Sequence, residues 1–586
     1  PMDRLSQVTD AKLNTVQFTY DAAGNKTATK DRNGGWTYFA FDKNNRMISA
    51  TDPENNVTTY AYDEEGNQIQ ATDPLGRVTS KTHDRLGRVV SSTEPDEDGA
   101  TRTTTHAYDA ADNLTATTDP LGHTTTNTYD ELGRLKAVTD PLGNSSHAAY
   151  DGAGNKVKTK DARGSETSFA FSPNNWLITV TDPAAGITGY AHDKAGNRTQ
   201  QTDAEGRVTL YSHDELNRLK EEKVNAGGGG YLLQRSYTYD KTGHVLTDTT
   251  GVGTITSTYD DVYNLTGVTD RQGATYSYTY DNNQNQLTAI ENATGKTVSF
   301  GYSSRGLLSA ATNANGGSEN YAYDDAGNLS QRQDTVAGQN FTTSYDYTPR
   351  NQMKTVTKGT DTSTFTYDPA GNLSSEAYPN GVNTSYNYDA GNRLTAQQAL
   401  KNGQSLQLFN QTYDAAGNIT SSTQAGLGTT SYTYDALNRL TSENISGYGN
   451  SGYTYDKTGN RLTKTEPAPT GGPVLALSMT RTYWASYTDW QNHQLSIDYK
   501  VTDNGPGTAY ATKITAATAT NGVYLTTTVP KTLGNINQGG NLPFTLKYFI
   551  PSGVTSFNAT VYSTCNDANG AGYSFPTKRT AYSYNQ

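Results

Sequence analysis

The chain has 586 residues, a formal net charge of −12, only 33% hydrophobic residues and a mean hydropathy of −0.76. This composition argues against a thick conventional core, but 42 tyrosines and 56 glycines also argue against disorder, because disordered chains are poor in aromatic residues. The negative charge excludes a general nucleic-acid binder, which needs basic stripes. The lack of any 18-residue apolar run argues against a membrane span, and a single cysteine, Cys565, excludes an internal disulfide or a thiolate metal site.

The N-terminal residues Pro1–Arg4 lack the charged and apolar segments of a signal peptide. Because the chain begins with proline and already inside a repeat-like pattern, we expect a processed chain or a fragment of a longer protein. An export signal could have been removed in that way.

A unit of about 21 residues, seen for example in residues 57–78, recurs along the chain as far as Leu462. Its marker is an aromatic residue or histidine, followed in most copies by aspartate, and most successive markers lie 20 to 22 residues apart. The 21 markers are Tyr20, Phe41, Tyr62, His83, Tyr108, Tyr129, Tyr150, Phe171, His192, His213, Tyr239, Tyr259, Tyr280, Tyr302, Tyr323, Tyr347, Tyr367, Tyr388, Tyr413, Tyr434 and Tyr455.

Each copy predicts two strands and two turns. The alternation Thr-x-Tyr-x-Tyr-Asp is strand geometry with both rings on one face. Asp-x-x-Gly-Asn, as at residues 21–25, is typical of a hairpin turn in which Asp accepts turn amides and Gly takes positive φ. An apolar residue six or seven positions after the marker, such as Leu114 or Leu135, should lie on the returning strand beside the ring. The second turn is often Asp-Pro-x-Gly, as at residues 73–76, where Pro presets φ.

Twenty-one such hairpins predict about 42 strands in one antiparallel meander, about 200 Å wide at about 4.8 Å per strand. Because strands twist with a fixed hand, so wide a ribbon should curl or spiral, which also hides its edges. With few aliphatic residues, we expect a thin wall of Tyr, Leu and Thr around an interior that is partly wet or empty. We interpret the Tyr-rich face as the core of this wall; an exposed surface that stacks on sugars or on another protein is the alternative.

The pattern Tyr-x-Tyr-Asp-x-x-Gly-Asn/Arg-Leu, clear at residues 321–329 and, with Asn438 in place of Gly, at 432–440, resembles the YD repeats of bacterial Rhs proteins, of the C components of insecticidal toxin complexes and of animal teneurins. The resemblance covers residues 1–465. It implies an all-β, spiralling antiparallel β-hairpin shell that can enclose a C-terminal toxic polypeptide. The family's closing core segment, with its Pro-x-x-x-x-Asp-Pro-x-Gly signature, is not found after Tyr455, so self-cleavage and toxin release are not carried over.

After the repeats, residues 466–473 form a Pro/Gly-rich stretch that predicts a linker. About seven strand-like runs in residues 474–586 predict a β-sandwich. The segment 497–509, a strand followed by an Asn-Gly turn, resembles Ig-like modules of bacterial surface proteins.

Candidate chemistry is sparse. The eight histidines are explained by repeat positions or turns, except His493, which has no visible partner; three of them, His83, His192 and His213, replace the marker tyrosine. The one acidic cluster, Glu94–Gly99, is a possible Ca²⁺ site or a solvated loop. Residues 227–230 lack the Lys-Ser/Thr of a phosphate loop and predict a spacer.

We therefore predict a non-enzymatic structural protein, extracellular or on the cell surface and bacterial, that acts as a scaffold, an adhesin or a self-assembling fibre. It needs no cofactor, binds no nucleic acid, and its partners are copies of itself, surface glycans or a cell-surface protein. One alternative is the shell of an Rhs-type toxin-delivery protein without its core and toxin. The other is a glycan-binding module that uses the Tyr face or Trp484 and Trp490 in the sandwich.

Overall fold

The computed structural model describes residues 4–97, 99–225, 230–447 and 449–465, and beyond these the strands of the C-terminal part. The described residues contain strands, turns and bends and no helix. The chain divides into two compact units, Pro1–Gly447 with Gly452–Lys464, and Tyr448–Ser451 with Thr465–Gln586. Each unit is considered by itself.

The described part of the first unit holds 43 strands of the repeat array, two for each repeat apart from the opening strand. They are β1 (Gln7–Thr9), β2 (Thr15–Tyr20), β3 (Lys26–Lys30), β4 (Trp36–Phe41), β5 (Met47–Thr51), β6 (Val57–Tyr62), β7 (Gln68–Thr72), β8 (Val78–His83), β9 (Val89–Pro95), β10 (Thr101–Tyr108), β11 (Leu114–Thr118), β12 (Thr124–Tyr129), β13 (Leu135–Thr139), β14 (Ser145–Tyr150), β15 (Lys156–Lys160), β16 (Glu166–Phe171), β17 (Leu177–Thr181), β18 (Ile187–His192), β19 (Arg198–Thr202), β20 (Val208–His213), β21 (Leu219–Asn225), β22 (Tyr231–Tyr239), β23 (Val245–Thr250), β24 (Gly253–Tyr259), β25 (Leu265–Thr269), β26 (Thr275–Tyr280), β27 (Gln286–Glu291), β28 (Lys296–Tyr302), β29 (Leu308–Thr312), β30 (Ser318–Tyr323), β31 (Leu329–Val336), β32 (Gln339–Tyr347), β33 (Met353–Lys358), β34 (Asp361–Tyr367), β35 (Leu373–Ala377), β36 (Val382–Tyr388), β37 (Leu394–Lys401), β38 (Gln404–Tyr413), β39 (Ile419–Gln424), β40 (Gly428–Tyr434), β41 (Leu440–Ile445), β42 (Gly449–Tyr455) and β43 (Arg461–Thr465).

These strands form one antiparallel sheet in which each strand pairs with the next along the chain, which confirms the predicted meander. The register shifts by one residue directly before the marker, as between Ala107 and Tyr108, so each hairpin carries a bulge that increases its local twist. Tyr108 lies opposite Leu114 across its hairpin, where the sequence placed it. The repeated bulge favours a sheet that curls rather than one that lies flat.

Both kinds of turn have the same geometry, which the sequence patterns did not reveal. We call the turn after each marker the Tyr-side turn, as at residues 63–67, and the turn that joins one repeat to the next the return-side turn, as at residues 73–77. In both, the first Asp donates its N–H to the carbonyl four residues on, and the fourth residue donates back to Asp. That fourth residue has positive φ, 96° at Gly66 and 79° at Gly76, as three-residue hairpin loops require. Asn45 fills the place with φ of 61°.

The wall has little conventional core. In the described part of the chain, Ala28 and Ala137 are the hydrophobic side chains that are buried. The marker tyrosines are half-buried, among them Tyr20, Tyr62, Tyr108, Tyr129, Tyr150, Tyr239, Tyr280, Tyr323, Tyr367, Tyr388, Tyr413, Tyr434 and Tyr455. Such a sheet depends on side-chain ladders and hydrogen bonds between neighbouring hairpins.

In the second unit the structure describes the strands alone. They are β44 (Leu475–Tyr483), β45 (Gln494–Asp503), β46 (Ala509–Ala519), β47 (Tyr524–Leu525), β48 (Lys531–Ile536), β49 (Asn541–Phe549), β50 (Ser556–Asn566) and β51 (Gly572–Ser583). They form two four-stranded antiparallel sheets, one of β44, β45, β49 and β47 and one of β48, β46, β50 and β51. The Ig-like arrangement stays a prediction, and the proposed linker 466–473 lies outside the described residues.

Candidate functional site

Residues about 250 positions apart meet within the first unit. Lys12 Nζ lies 2.6 Å from Asp260 Oδ2, and Asn33 Nδ2 donates to Asp281 Oδ2 at 2.8 Å. Arg207 Nη2 donates to Thr458 Oγ1 at 2.7 Å. In each case a return-side turn touches a Tyr-side turn. We call this line of contacts the seam.

The seam fixes the number of repeats in one turn of the spiral. Asn33 follows the first marker and contacts the turn after the thirteenth, Tyr280; Arg207 follows the ninth, His192, and contacts the turn after the twenty-first, Tyr455. One spiral turn therefore contains twelve repeats. Its twenty-four strands at about 4.8 Å give a perimeter of about 115 Å and a diameter of about 37 Å. The predicted spiral is confirmed, with the strands running between the two edges of each turn.

Charged and amide groups make up most of the seam contacts. Arg305 Nε lies 2.9 Å from Asp52 Oδ2, and Ser304 Oγ donates to Glu54 Oε1 at 3.3 Å. Both donors, the arginine and the serine, lie in one Tyr-side turn. Both acids lie in a return-side turn that belongs to the preceding turn of the spiral. Each side chain is held by a residue more than 240 positions away, so these bonds act on the spiral rather than on one hairpin.

A single arginine bridges two repeats of the facing spiral turn. Arg163 Nη1 lies 3.3 Å from Asp414 Oδ2 and 3.2 Å from Asn438 Oδ1, and Arg163 Nη2 donates to the carbonyl of Asp435 at 2.6 Å. Four-fifths of the Arg163 side chain is buried. A planar guanidinium with several fixed donors suits this role better than a lysine would.

The acidic loop that the sequence offered as a calcium site is part of the seam. Glu94 Oε2 lies 3.1 Å from Arg350 Nε, and Glu97 Oε1 lies 2.8 Å from Lys354 Nζ. Asp96 pairs with Arg102 inside its own hairpin. Asp98 lies outside the described residues, among which no group of three or more His, Cys, Asp or Glu is placed to hold a metal. The geometry thus assigns Glu94 and Glu97 to ion pairs, and calcium binding stays a prediction.

The seam favours the ionised form of two of its carboxylates, Asp260 and Asp414. Burial opposes ionisation of Asp260, but hydrogen bonds from Lys12 and from its own turn outweigh it, so the pKa of Asp260 lies below its usual value. At Asp414 burial again raises the pKa, but hydrogen bonds from Asn418 and the turn amides, together with the charge of Arg163, outweigh it. The net effect lowers the pKa of Asp414. These two seam carboxylates therefore keep their charge at neutral pH.

Within a spiral turn, the marker tyrosines join neighbouring hairpins. Tyr129 Oη donates to the carbonyl of Leu114, fifteen residues earlier, at 2.8 Å, and Tyr434 Oη donates to the carbonyl of Ile419 at 2.9 Å. The acceptor is the first residue of the returning strand in the preceding repeat, except for Tyr20, whose acceptor Leu5 lies two residues before β1. The same bond is made by Tyr20, Tyr62, Tyr108, Tyr150, Tyr239, Tyr259, Tyr280, Tyr302, Tyr323, Tyr347, Tyr367, Tyr388, Tyr413 and Tyr455. The repeat pattern predicts these rings in the wall but does not reveal their hydroxyl bonds.

The Tyr-side turns are joined to one another as well. Arg134 pairs with Asp130 of its own turn at 2.7 Å, donates to the carbonyl of Asp151 in the next turn at 2.8 Å, and lies 4.7 Å from the ring centroid of Tyr150. In several turns whose fifth residue is Asn, its amide reaches an Asn of the next turn instead, as from Asn25 to Asn45 at 2.8 Å. These bonds form a ladder along one edge of the spiral.

The histidines mostly occupy structural positions. The Nδ1 atoms of His123 and His244 lie 3.1 Å from the first Asp of their own turns, whose carboxylate accepts the hydrogen bond. His83 and His213 replace the marker tyrosine, and their Nδ1 atoms are buried without a hydrogen-bond partner in the described structure. An imidazole is too short to repeat the tyrosine bond, so these two repeats lack it.

Other candidates have no described geometry. Trp484 and Trp490, and residues 227–229 of the glycine loop, lie outside the described residues, and of the strand that holds Cys565 only the backbone is described. Glycan binding therefore stays a prediction. Two depressions lie along the seam, one of about 490 Å³ beside Arg163 and one of about 290 Å³ beside Arg305.

Comparison with known proteins gives a consistent picture. The family profile described as RHS Repeat matches nine segments that together cover half of the chain, and two pairs of them overlap. The segments are residues 3–35, 41–78, 62–98, 129–166, 171–208, 192–229, 282–318, 367–403 and 413–444. No curated protein sequence matches the chain. In the described residues no helix is both long and apolar enough to cross a membrane.

Two solved structures share the fold. The crystal structure of TcdB2-TccC3 has a TM-score of 0.50 at 13% identity, over 96% of this chain and 42% of that one. The crystal structure of TcdB2-TccC3 without its hypervariable C-terminal region has a TM-score of 0.53 at 13% identity, over 95% and 32%. The chain thus spans less than half the length of either structure that it resembles.

Proposed function

The chain belongs to the RHS-repeat family, and from that premise we propose that it is a non-enzymatic structural protein of the bacterial exterior whose repeat unit is a shell wall. The observation that carries the proposal is the seam, because it converts a one-dimensional row of hairpins into stacked turns of a wall. The turn aspartates support a structural role, since their carboxylates accept hydrogen bonds from amides of their own turn, as Asp63 accepts from Asn67.

Limited proteolysis tests the wall. A wall with intact seams should resist cleavage in the return-side turns of the first spiral turn, for example around Glu54 and Arg163, because the next spiral turn covers them. The Tyr-side turns of the same spiral turn, for example around Leu132, carry no seam contact in the described residues and should be cut first. Equal cleavage at both kinds of turn would contradict the proposal.

A second candidate is a container for a polypeptide, favoured by the likeness to a larger structure of which this chain spans 42%. A spiral about 37 Å across could surround an extended or partly folded chain. The test is to express the full chain with a protease-sensitive polypeptide fused after Gln586. A container keeps the fused polypeptide intact under protease until the wall is denatured; a scaffold leaves it as sensitive as the free polypeptide.

A further inference from the structure

The two edges of a spiral turn differ in kind, and the structure shows one pairing of them. In the seam, the return-side edge of the first spiral turn packs on the Tyr-side edge of the second. This leaves one edge of each kind without a seam contact in the described part of the first unit: the Tyr-side edge of the first spiral turn and the return-side edge of the second.

The free Tyr-side edge exposes leucines at a position that the seam covers elsewhere. The third residue of the Tyr-side turn is Leu in Leu86, Leu132 and Leu216, which are 69%, 73% and 63% exposed. In the second spiral turn the same position is Leu437, which is half-buried. Coverage by a facing turn is what distinguishes the two sets.

The free return-side edge shows the same contrast. At or beside its tips lie Val336, Leu406 and Leu427, which are 59%, 58% and 62% exposed. In the return-side turns that face the seam, Leu75 and Leu142 are 45% and 40% exposed. Leu142 Cδ1 lies close enough to the facing spiral turn that a Cβ on Gly391 would be 3.2 Å from it.

The free return-side edge is also built differently. The ten successive return-side turns from Asp10–Asn14 to Asp203–Arg207 all begin with aspartate, including the Asp-Pro turns. In the second spiral turn that aspartate remains at Asp270, whereas other tips are tighter hairpins such as Ala337-Gly338 and Asn402-Gly403. The edge therefore loses most of its turn-first aspartates while it keeps exposed aliphatic groups, which suits an apolar contact better than a polar seam.

We infer that the free return-side edge of one molecule binds the free Tyr-side edge of a second copy of this chain, so that copies stack head to tail and continue the spiral. The seam is the precedent, since it joins the same two kinds of edge. A heterologous contact of this kind does not close on itself and gives a filament. The inference rests on the proposed shell wall, and it names the wall's partner.

Complementation of edge variants tests the stacking in the full chain. One variant carries Leu86→Arg, Leu132→Arg and Leu216→Arg, and the other carries Val336→Arg, Leu406→Arg and Leu427→Arg. The wild-type sedimentation coefficient should rise with concentration between about 1 and 100 µM, the range in which weak interfaces saturate. Each variant alone should remain a monomer. An equimolar mixture should give dimers and nothing larger, because the mixture holds one intact pair of edges.

Ile48→Arg with Ile178→Arg is the matched control, since both side chains are exposed on the sheet rather than at its edges. This control should polymerise like the wild type, and a retained Lys12–Asp260 cross-link in every variant shows that the wall still folds. A wild-type chain that is monomeric throughout, or edge variants that assemble as it does, would overturn the inference. An intact cross-link in such a monomer would leave the proposed wall standing.

Discussion

Removal of one tyrosine hydroxyl should loosen two neighbouring hairpins and leave the rest of the wall unchanged. Tyr62 Oη donates to the carbonyl of Met47 at 2.7 Å, which joins β6 to β5 of the preceding repeat. A hydrogen bond of this kind stabilises by about 1 kcal/mol net. In a repeat array such a loss acts on nearest neighbours, so Tyr62→Phe should speed amide exchange in β5, β6 and β7 about fivefold.

Hydrogen exchange followed by mass spectrometry measures this effect peptide by peptide. Tyr60→Phe is the control, because Tyr60 lies on the same strand and is half-buried, and its hydroxyl makes no hydrogen bond in the described structure. Its exchange should stay within error of the wild type. Equal acceleration in both variants would show that the ring environment, not the cross-hairpin bond, sets local stability. No acceleration in Tyr62→Phe would refute the reasoning.

Three further outcomes are expected. Arg305→Ala should speed amide hydrogen exchange about twofold to fivefold in both of the spiral turns that Arg305 joins. Arg332→Ala breaks ion pairs within one spiral turn and should speed exchange in its own hairpins alone. The same distribution of faster exchange in both variants would contradict the seam. A hydrogen bond from the side-chain amide of the residue four positions later lowers the pKa of Asp456 to about 2. The stability that this carboxylate contributes is therefore present above about pH 4 and is lost as the pH falls towards 2. A denaturation midpoint that does not change over that pH range would contradict this prediction. His83→Tyr should restore the missing bond to the carbonyl of Gln68 and raise the local free energy of unfolding by about 1 kcal/mol, measured by exchange; a destabilised variant would show that the site does not fit the ring.

The sequence predicted the local structure of the wall well. Alternation around the markers predicted the strands, and Asp-x-x-Gly predicted the turns, because both depend on short-range backbone geometry. The tyrosine bond to the preceding repeat could have been found too, since Tyr129 and Leu114 keep the same fifteen-residue spacing as Tyr434 and Ile419.

The seam could not be predicted in the same way. The number of repeats per spiral turn depends on small twists that add over twelve hairpins, and no local pattern records their sum. Glu94 and Glu97 illustrate this limit, because in sequence they look like ligands for a cation, whereas in the fold Arg350 and Lys354 supply the positive charge. The sequence does contain one indication of where the seam lies. Return-side turns that begin with aspartate are the rule along the seam and are mostly replaced by other turns beyond it.

Zero-length cross-linking of carboxylates to amines in the unmodified protein tests the twelve-repeat spiral most directly. We expect amide links between Lys12 and Asp260, 2.6 Å apart, and between Lys354 and Glu97, 2.8 Å apart, both detected by mass spectrometry. A link between Lys158 and Glu166, 2.7 Å apart across adjacent strands, serves as the internal reference. If that reference link forms while every other link joins residues of the same or adjacent repeats, the array is not a spiral of twelve repeats per turn.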